Sequence, residues 1–140
     1  MKIDAKIYDK ILECIPSIPP ETGGILGGDS DIITNFIFDG GLSDSDEGRY
    51  YPDIDKINTY LSDWQKSGIK FYGILHSHFT NERTLSMGDR QYIKNIMMSM
   101  PTNIKELYFP IVIPYKEMVS FKAKRVGCEI NIIADDIKIF

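Results

Sequence analysis

Residues 69–89 read IKFYGILHSHFTNERTLSMGD. The β-prone run from Ile69 ends on His76, Ser77 and His78, which predicts a strand. After seven intervening residues, Ser86 and Asp89 stand ahead of an apolar stripe, Ile93, Ile96, Met97 and Met100, which predicts a helix that Pro101 stops. Side chains two apart on extended backbone point the same way, so His76 and His78 can face one ion. Catalytic zinc sites commonly take three protein ligands and leave a fourth position to water, and His nitrogen and carboxylate oxygen both serve. His76, His78 and Asp89 meet that count for a single Zn²⁺. Glu21 supplies a further carboxylate that can take a proton from the water.

Outward from that unit, Ile3, Ile7, Ile11, Leu12 and Ile15 recur at helical spacing behind an Asp4 cap, and Pro16, Pro19 and Pro20 end the helix near Cys14. Stretches 22–27 and 32–38 are β-prone runs separated by GDSD, the pattern of a hairpin, with Glu21 near the start of its first strand. Residues 39–52 read as one long acidic loop. Asp53 caps a second helix with an Ile54, Ile57, Leu61, Trp64 stripe that Gly68 terminates. Segments 107–113, 118–123, 128–133 and 137–140 read as strands. The order of elements is not a regular parallel alternation. It suits one α/β (α+β) domain over residues 1–140, a three-layer mixed β-sheet flanked by helices.

Ser86 and Asp89 have a structural alternative. Ser-x-x-Asp before an apolar stripe is also the pattern of a capping box, in which each side chain satisfies the other residue's backbone N–H. Asp89 lies four residues before Ile93, on the inward face of the helix, and an inward carboxylate calls for a cation or several hydrogen bonds. An inward Asp89 is thus better explained by a metal than by capping, while Ser86 is expected to do both jobs, its backbone capping while its hydroxyl faces the site. The glycines of GGILGG are no phosphate loop, since no GK[ST] ending follows. Asp44, Asp46 and Glu47 read as a solvated stretch that could attract basic residues in a substrate.

The chain has 140 residues, 43% of them hydrophobic, and a net charge of −4, which fits one globular core and disfavours nucleic acid as a partner. No apolar run reaches the roughly 20 residues that span a bilayer, and the N-terminus carries no signal pattern, so neither a membrane nor export is expected and the cytoplasm is. Cys14 and Cys128 have no metal-ligand spacing and are expected to be buried thiols. The zinc deaminases need an HxE element and a PCxxC pair, and neither is present. Non-haem iron oxygenases share the two-histidine, one-carboxylate set but give Glu21 and Ser86 no task.

Taken together, Glu21 with its GGILGG tail, HSH, seven residues and Ser-x-x-Asp resemble the JAMM motif of the JAB/MPN metalloproteases, compact prokaryotic members included. The resemblance runs from the first helix through at least Met100. Phe79 and Leu85 stand where that family commonly has proline. The resemblance implies a fold related to the cytidine deaminases and a zinc-dependent peptidase or isopeptidase, with zinc on His76, His78 and Asp89. Glu21 would act as general base and Ser86 as oxyanion donor. It also implies a protein substrate with an extended C-terminal tail, ubiquitin-like or sulfur-carrier-like. The alternatives are a hydrolase of a small amide and a non-catalytic, metal-stabilised protein-interaction module.

Overall fold

The computed structural model describes residues 1–42 and 49–140. Its elements, in order, are β1 (Lys2–Ile3), α1 (Ala5–Cys14), β2 (Gly23–Asp29), β3 (Ile32–Asp39), α2 (Ile54–Lys66) and β4 (Lys70–Ser77). After these come α3 (Met87–Ser99), β5 (Glu106–Tyr108), β6 (Ile111–Ile113), β7 (Glu117–Val126), β8 (Glu129–Asp135) and β9 (Lys138–Ile139). The sheet runs β5-β7-β6-β4-β2-β3-β1-β9, with β8 on the far side of β7. It is mixed: β4 meets β5 and β6 in parallel, and β1 meets β3 and β9 in parallel. The β2–β3, β2–β4, β5–β7, β6–β7 and β7–β8 pairs are antiparallel.

Successive residues of a strand face opposite sides, and two apolar layers follow from that period. Ile25, Ile74, Ile111 and Ile113 join one core with Ile57 and Trp64 of α2 and Ile93, Ile96 and Met97 of α3. Leu26, Leu75 and Val112 join the other with Ile11 of α1 and with Ile3 and Ile15. The mixed sheet is thus flanked by α1 on one face and by α2 and α3 on the other, as expected from the sequence. Asp4 caps α1 by accepting from the Lys6 and Ile7 N–H groups, and Asp53 caps α2 by accepting from Lys56.

Several expectations are corrected. Ile3 belongs to β1 and not to the helical stripe; its place in the core comes from pairing with β3 and β9. Ile54 opens α2 and is exposed, and the buried face of the helix is carried by Ile57 and Trp64. The single strand expected over 107–113 is two, broken at Phe109 and Pro110, because Pro110 has no N–H to give the ladder. Phe109 sinks into the core at that break. Cys14 and Cys128 are both exposed: the core side of the α1 terminus is taken by Ile11 and Ile15, and Cys128 sits in the β7–β8 turn. Asp44, Asp46 and Glu47 lie outside the described residues. Asp39, placed in the long loop by sequence, ends β3, and Leu42 N–H donates to the Tyr51 carbonyl across the loop mouth. No helix among the described residues is long and apolar enough to cross a membrane.

The β4–β5 junction requires glycine at position 73, where a Cβ would stand 1.9 Å from the Tyr108 carbonyl oxygen. Gly73→Ala must separate the two strands and is expected to cost at least about 2 kcal/mol in chemical denaturation. Gly68 has open space around it and a positive φ of +74°. Gly68→Ala is expected to cost only about 1 kcal/mol, the strain of a left-handed alanine. Equal losses at the two sites would contradict the steric account of Gly73.

Candidate metal centre

Two elements meet where the β4 ladder runs out. Gly23 pairs with His76, and one step further the Thr22 N–H donates to Ser77 Oγ at 3.0 Å while the Ser77 N–H donates to the Thr22 carbonyl at 2.8 Å. This reciprocal clamp fixes Glu21, the next residue back, beside the end of β4. From the other side, the parallel neighbour β6 holds the strand end: His76 N–H donates to the Pro110 carbonyl and His78 N–H to the Val112 carbonyl. Both histidines are buried.

The two imidazoles turn their Nε2 atoms to one point. His76 Nε2 and His78 Nε2 are 3.0 Å apart, Asp89 Oδ1 is 3.3 Å from the first and Asp89 Oδ2 is 3.2 Å from the second. With metal–ligand bonds near 2.05 Å, neighbouring donors of a tetrahedral zinc site stand roughly 3.3 Å apart, so the three residues stand close to the spacing a single ion would need, each histidine facing a different Asp89 oxygen. His78 Nδ1 lies 2.9 Å from the Glu82 carbonyl oxygen, which only accepts. Nδ1 therefore carries a proton and donates it, which turns Nε2 into the cluster, where it can donate to Asp89 when the ring is charged and would offer its lone pair to a metal when the ring is neutral.

Asp89 serves two structures at once. Its Oδ2 accepts from the Ser86 N–H at 2.9 Å, and Ser86 Oγ accepts from the Asp89 N–H at 3.0 Å, a complete capping box at the start of α3. The capping reading of the sequence holds, with one revision: it is the Ser86 hydroxyl, and not only its backbone, that caps, while Asp89 also stands in a group with His76 and His78 that could hold a metal ion. Accepting from Asp89 uses a lone pair of Oγ and leaves its proton available to donate. Burial would raise the Asp89 pKa, but hydrogen bonds from His76, His78 and the Ser86 N–H outweigh it and hold the carboxyl well below the usual range. Burial would lower that of His78, but hydrogen bonds to Asp89 and Glu82 and the neighbouring acidic charge raise it above the ordinary imidazole value. The result is an anionic carboxylate facing two imidazoles, the charge arrangement a divalent cation completes.

The cluster opens on a cleft of about 380 Å³ whose lining includes Glu21, His78, Phe79, Glu82, Ser86 and Asp89. All five residues singled out by sequence thus come together, with His76 on the inner side. The sequence reading missed Arg49, Tyr50 and Tyr92, which line a smaller space behind the cluster. Tyr92 could have been found, since it is one helical turn after Asp89; Arg49 and Tyr50 come from the long loop and carried no signal.

No protein-family model matches the sequence, and no curated protein does either. Solved structures do match in fold. A Desulfitobacterium hafniense protein solved in solution superposes with a TM-score of 0.68 at 19% identity, covering 100% of this chain and 93% of its own. A JAB1/MPN domain protein from Archaeoglobus fulgidus gives 0.58 at 19% identity, covering 100% and 96%. A Salinibacter ruber protein gives 0.57 at 17% identity, covering 98% and 90%. At such identities the likeness is one of fold, and the fold is MPN-like.

Removing one donor should separate the two duties of the helix start. Asp89→Asn is expected to abolish stoichiometric zinc uptake, read by elemental analysis after dialysis, with α3 still formed. Ser86→Ala should retain zinc and lose about 1 kcal/mol of stability, the usual cost of an N-cap. Zinc retained at wild-type level by Asp89→Asn would remove Asp89 from the ligand set.

Proposed function

We propose that this protein is a zinc-dependent metallopeptidase or isopeptidase of the JAMM type. Its substrate would be a peptide or isopeptide bond at the end of an extended tail, as in ubiquitin-like or sulfur-carrier-like proteins. The observation that carries the reading is the convergence of His76, His78 and Asp89 at tetrahedral spacing, with Glu21 and Ser86 lining the same cleft. The JAB1/MPN domain protein among its structural neighbours supports it.

When bound, zinc supplies Lewis acidity, polarising a carbonyl and lowering the pKa of water towards about 7. Glu21 takes the proton from the attacking water and later delivers it to the departing amine. The carbonyl carbon gains the water oxygen, the C–N bond breaks, and the amine leaves with the proton. Glu21 can serve because the Thr22–Ser77 clamp fixes its backbone at the cleft. Ser86 donates its free hydroxyl proton to the developing oxyanion, and the cap bond from the Asp89 N–H keeps Oγ in place. Phe79 and Thr80 also line the cleft, in which a tail would lie.

One observation favours a second reading. The capping box accounts for Ser86, and for part of Asp89, without any chemistry. In a metal-stabilised interaction module, chelation would lower the melting temperature while no amide bond was ever cut.

The hydrolase reading makes two kinetic demands. Glu21→Gln is expected to bind zinc normally and to lose nearly all turnover of an isopeptide-linked tail peptide. Ser86→Ala should lower kcat by about 10² to 10³, the usual worth of one oxyanion donor, and not to zero. Full turnover by Glu21→Gln would refute the assigned base.

A further inference from the structure

The two ends of the sheet are built differently. At one end β9 is two residues long and carries Lys138, which leaves little backbone for another chain to pair with. At the other, β8 has seven residues, EINIIAD, without proline, lysine or arginine. Its ladder to β7 runs from Val126↔Glu129 to Ser120↔Asp135 with no bulge. Native edge strands are normally protected by such features, and β8 has none of them. The turn at Gly127 and Cys128 has two residues, so Val126 and Glu129, which close it, exchange both backbone hydrogen bonds. Alternation then turns the N–H and C=O groups of Glu129, Asn131, Ile133 and Asp135 toward β7 and those of Ile130, Ile132 and Ala134 outward. Among the described residues no other strand pairs with that outward row. Ile130 and Ile132 are half-buried against the α2–α3 core, while Glu129, Asn131 and Ile133 are exposed on the opposite face.

We propose that β8 pairs antiparallel with β8 of a second copy of this chain, about a two-fold axis at Asn131. The strand's own sequence selects that occupant and that register. Outward backbone groups must meet and isoleucines must stay on the core side, which places the axis on a residue and not between two. With the axis at Ile132, Glu129 of each copy meets Asp135 of the other, and like charges directly opposite destabilise a pair. There or further along, the Gly127 and Cys128 tip also overruns Asp135 into the stretch that turns off to β9, where the Asp136 carbonyl already holds the Met1 amine. With the axis at Ile130, Ile132 falls opposite the turn and the ladder is cut short. At Asn131, Ile130 of each copy meets Ile132 of the other, Glu129 meets Ile133, and the tip ends level with Asp135. The isoleucine pairs exchange about four backbone hydrogen bonds and carry the apolar row of the core across the axis. The Asn131 amides meet on the outer face, where each can donate to the other. Such a contact is isologous and closes at two copies. None of the residues lining the metal cleft lies on β7 or β8, so both clefts stay open, and pairing is independent of any chemistry there.

Sedimentation velocity on the purified chain, from low micromolar to near millimolar, should show the mass rising from 16.0 kDa toward twice that value and no further. Asn131→Cys in a Cys14→Ser, Cys128→Ser background should give a disulfide-linked dimer under oxidised glutathione. Directly opposed residues that are not hydrogen-bonded to each other stand about 4.5 Å apart at Cα, within disulfide reach. Ile133→Cys in the same background is also exposed but should not link, because the two 133 positions then stand roughly 13 Å apart. Ile133→Glu lies opposite Lys122 in its own chain and is expected to fold normally. In the pair it sets each new carboxylate against a Glu129, and association should weaken roughly five- to thirtyfold. Adding Glu129→Lys should restore it. A mass that stays at 16.0 kDa throughout leaves the edge to another protein's strand or to none, and overturns the pairing. So does a mass that climbs past two copies, which marks head-to-tail growth. A disulfide at position 133 as readily as at 131, undiminished association in Ile133→Glu, or no restoration by Glu129→Lys overturns it equally.

Discussion

The exchange of hydrogen bonds between Thr22 and Ser77 at the end of the β2–β4 ladder is the constraint from which the site's geometry follows. Ser77 is fully buried and its hydroxyl accepts from a backbone N–H that no further strand residue could satisfy. An alanine there would orphan a buried donor, at about 1–3 kcal/mol, and free the segment bearing Glu21. His76 and His78 flank Ser77, so the strand's period of two sends the clamp to one face and both imidazoles to the other. The spacing HSH is thereby explained at every position: histidine for the cluster, serine for the clamp, histidine again.

The second half of the cluster comes from a helix start, and electrostatics makes that choice economical. The first-turn N–H groups of α3 favour negative charge, so Asp89 is stabilised as an anion before any cation arrives. Its two oxygens face different histidines, while the cap bond to the Ser86 N–H fixes the carboxylate plane. A flexible aspartate would spend side-chain entropy on each binding event; this one has spent it in folding. The reciprocal bond, from the Asp89 N–H to Ser86 Oγ, ties the Ser86 hydroxyl beside the cluster, so the Asp89 carboxylate and the Ser86 hydroxyl are positioned by one motif.

Much of this was legible in the sequence because periodicity is a local property. The two-residue histidine spacing and the Ser-x-x-Asp cap each fall within one element, and the α1–hairpin–α2–β4–α3 order follows from apolar stripes and turn residues. What escaped depends on partners distant in the chain. β1 is two residues long and exists only through β3 and β9. The break at Phe109 and Pro110 was legible from Pro110, but that both halves would pair with β4 was not. Arg49 and Tyr50 reach the site from a loop with no period to read, and Tyr50 is held there by Asp39, eleven positions earlier. Exposure of the cysteines failed to show because residue type alone was used, and the burial of a thiol is decided by which neighbours take the core face.

Phe79 and Leu85, the two departures from the family pattern, are explained by how the loop between the ligands is held. Proline would stiffen residues 79–85 by fixing φ. Here one local and two long-range ties do that work. His78 donates to the Glu82 carbonyl, Lys116 reaches Asn81 Oδ1, and Arg83 pairs with Glu117. The last two are exposed, and such contacts typically contribute less than about 1 kcal/mol each. Leu85 is 8% exposed within the α2–α3 core, and full burial of a leucine is worth roughly 1.5–3 kcal/mol. The apolar anchor therefore outweighs either surface tie, and it sits immediately before the Ser86 cap. A proline at 85 would have fixed the backbone angle of the helix entry; leucine fixes its position by filling the core. Phe79, freed from a stiffening duty, is left half-buried in the wall of the cleft.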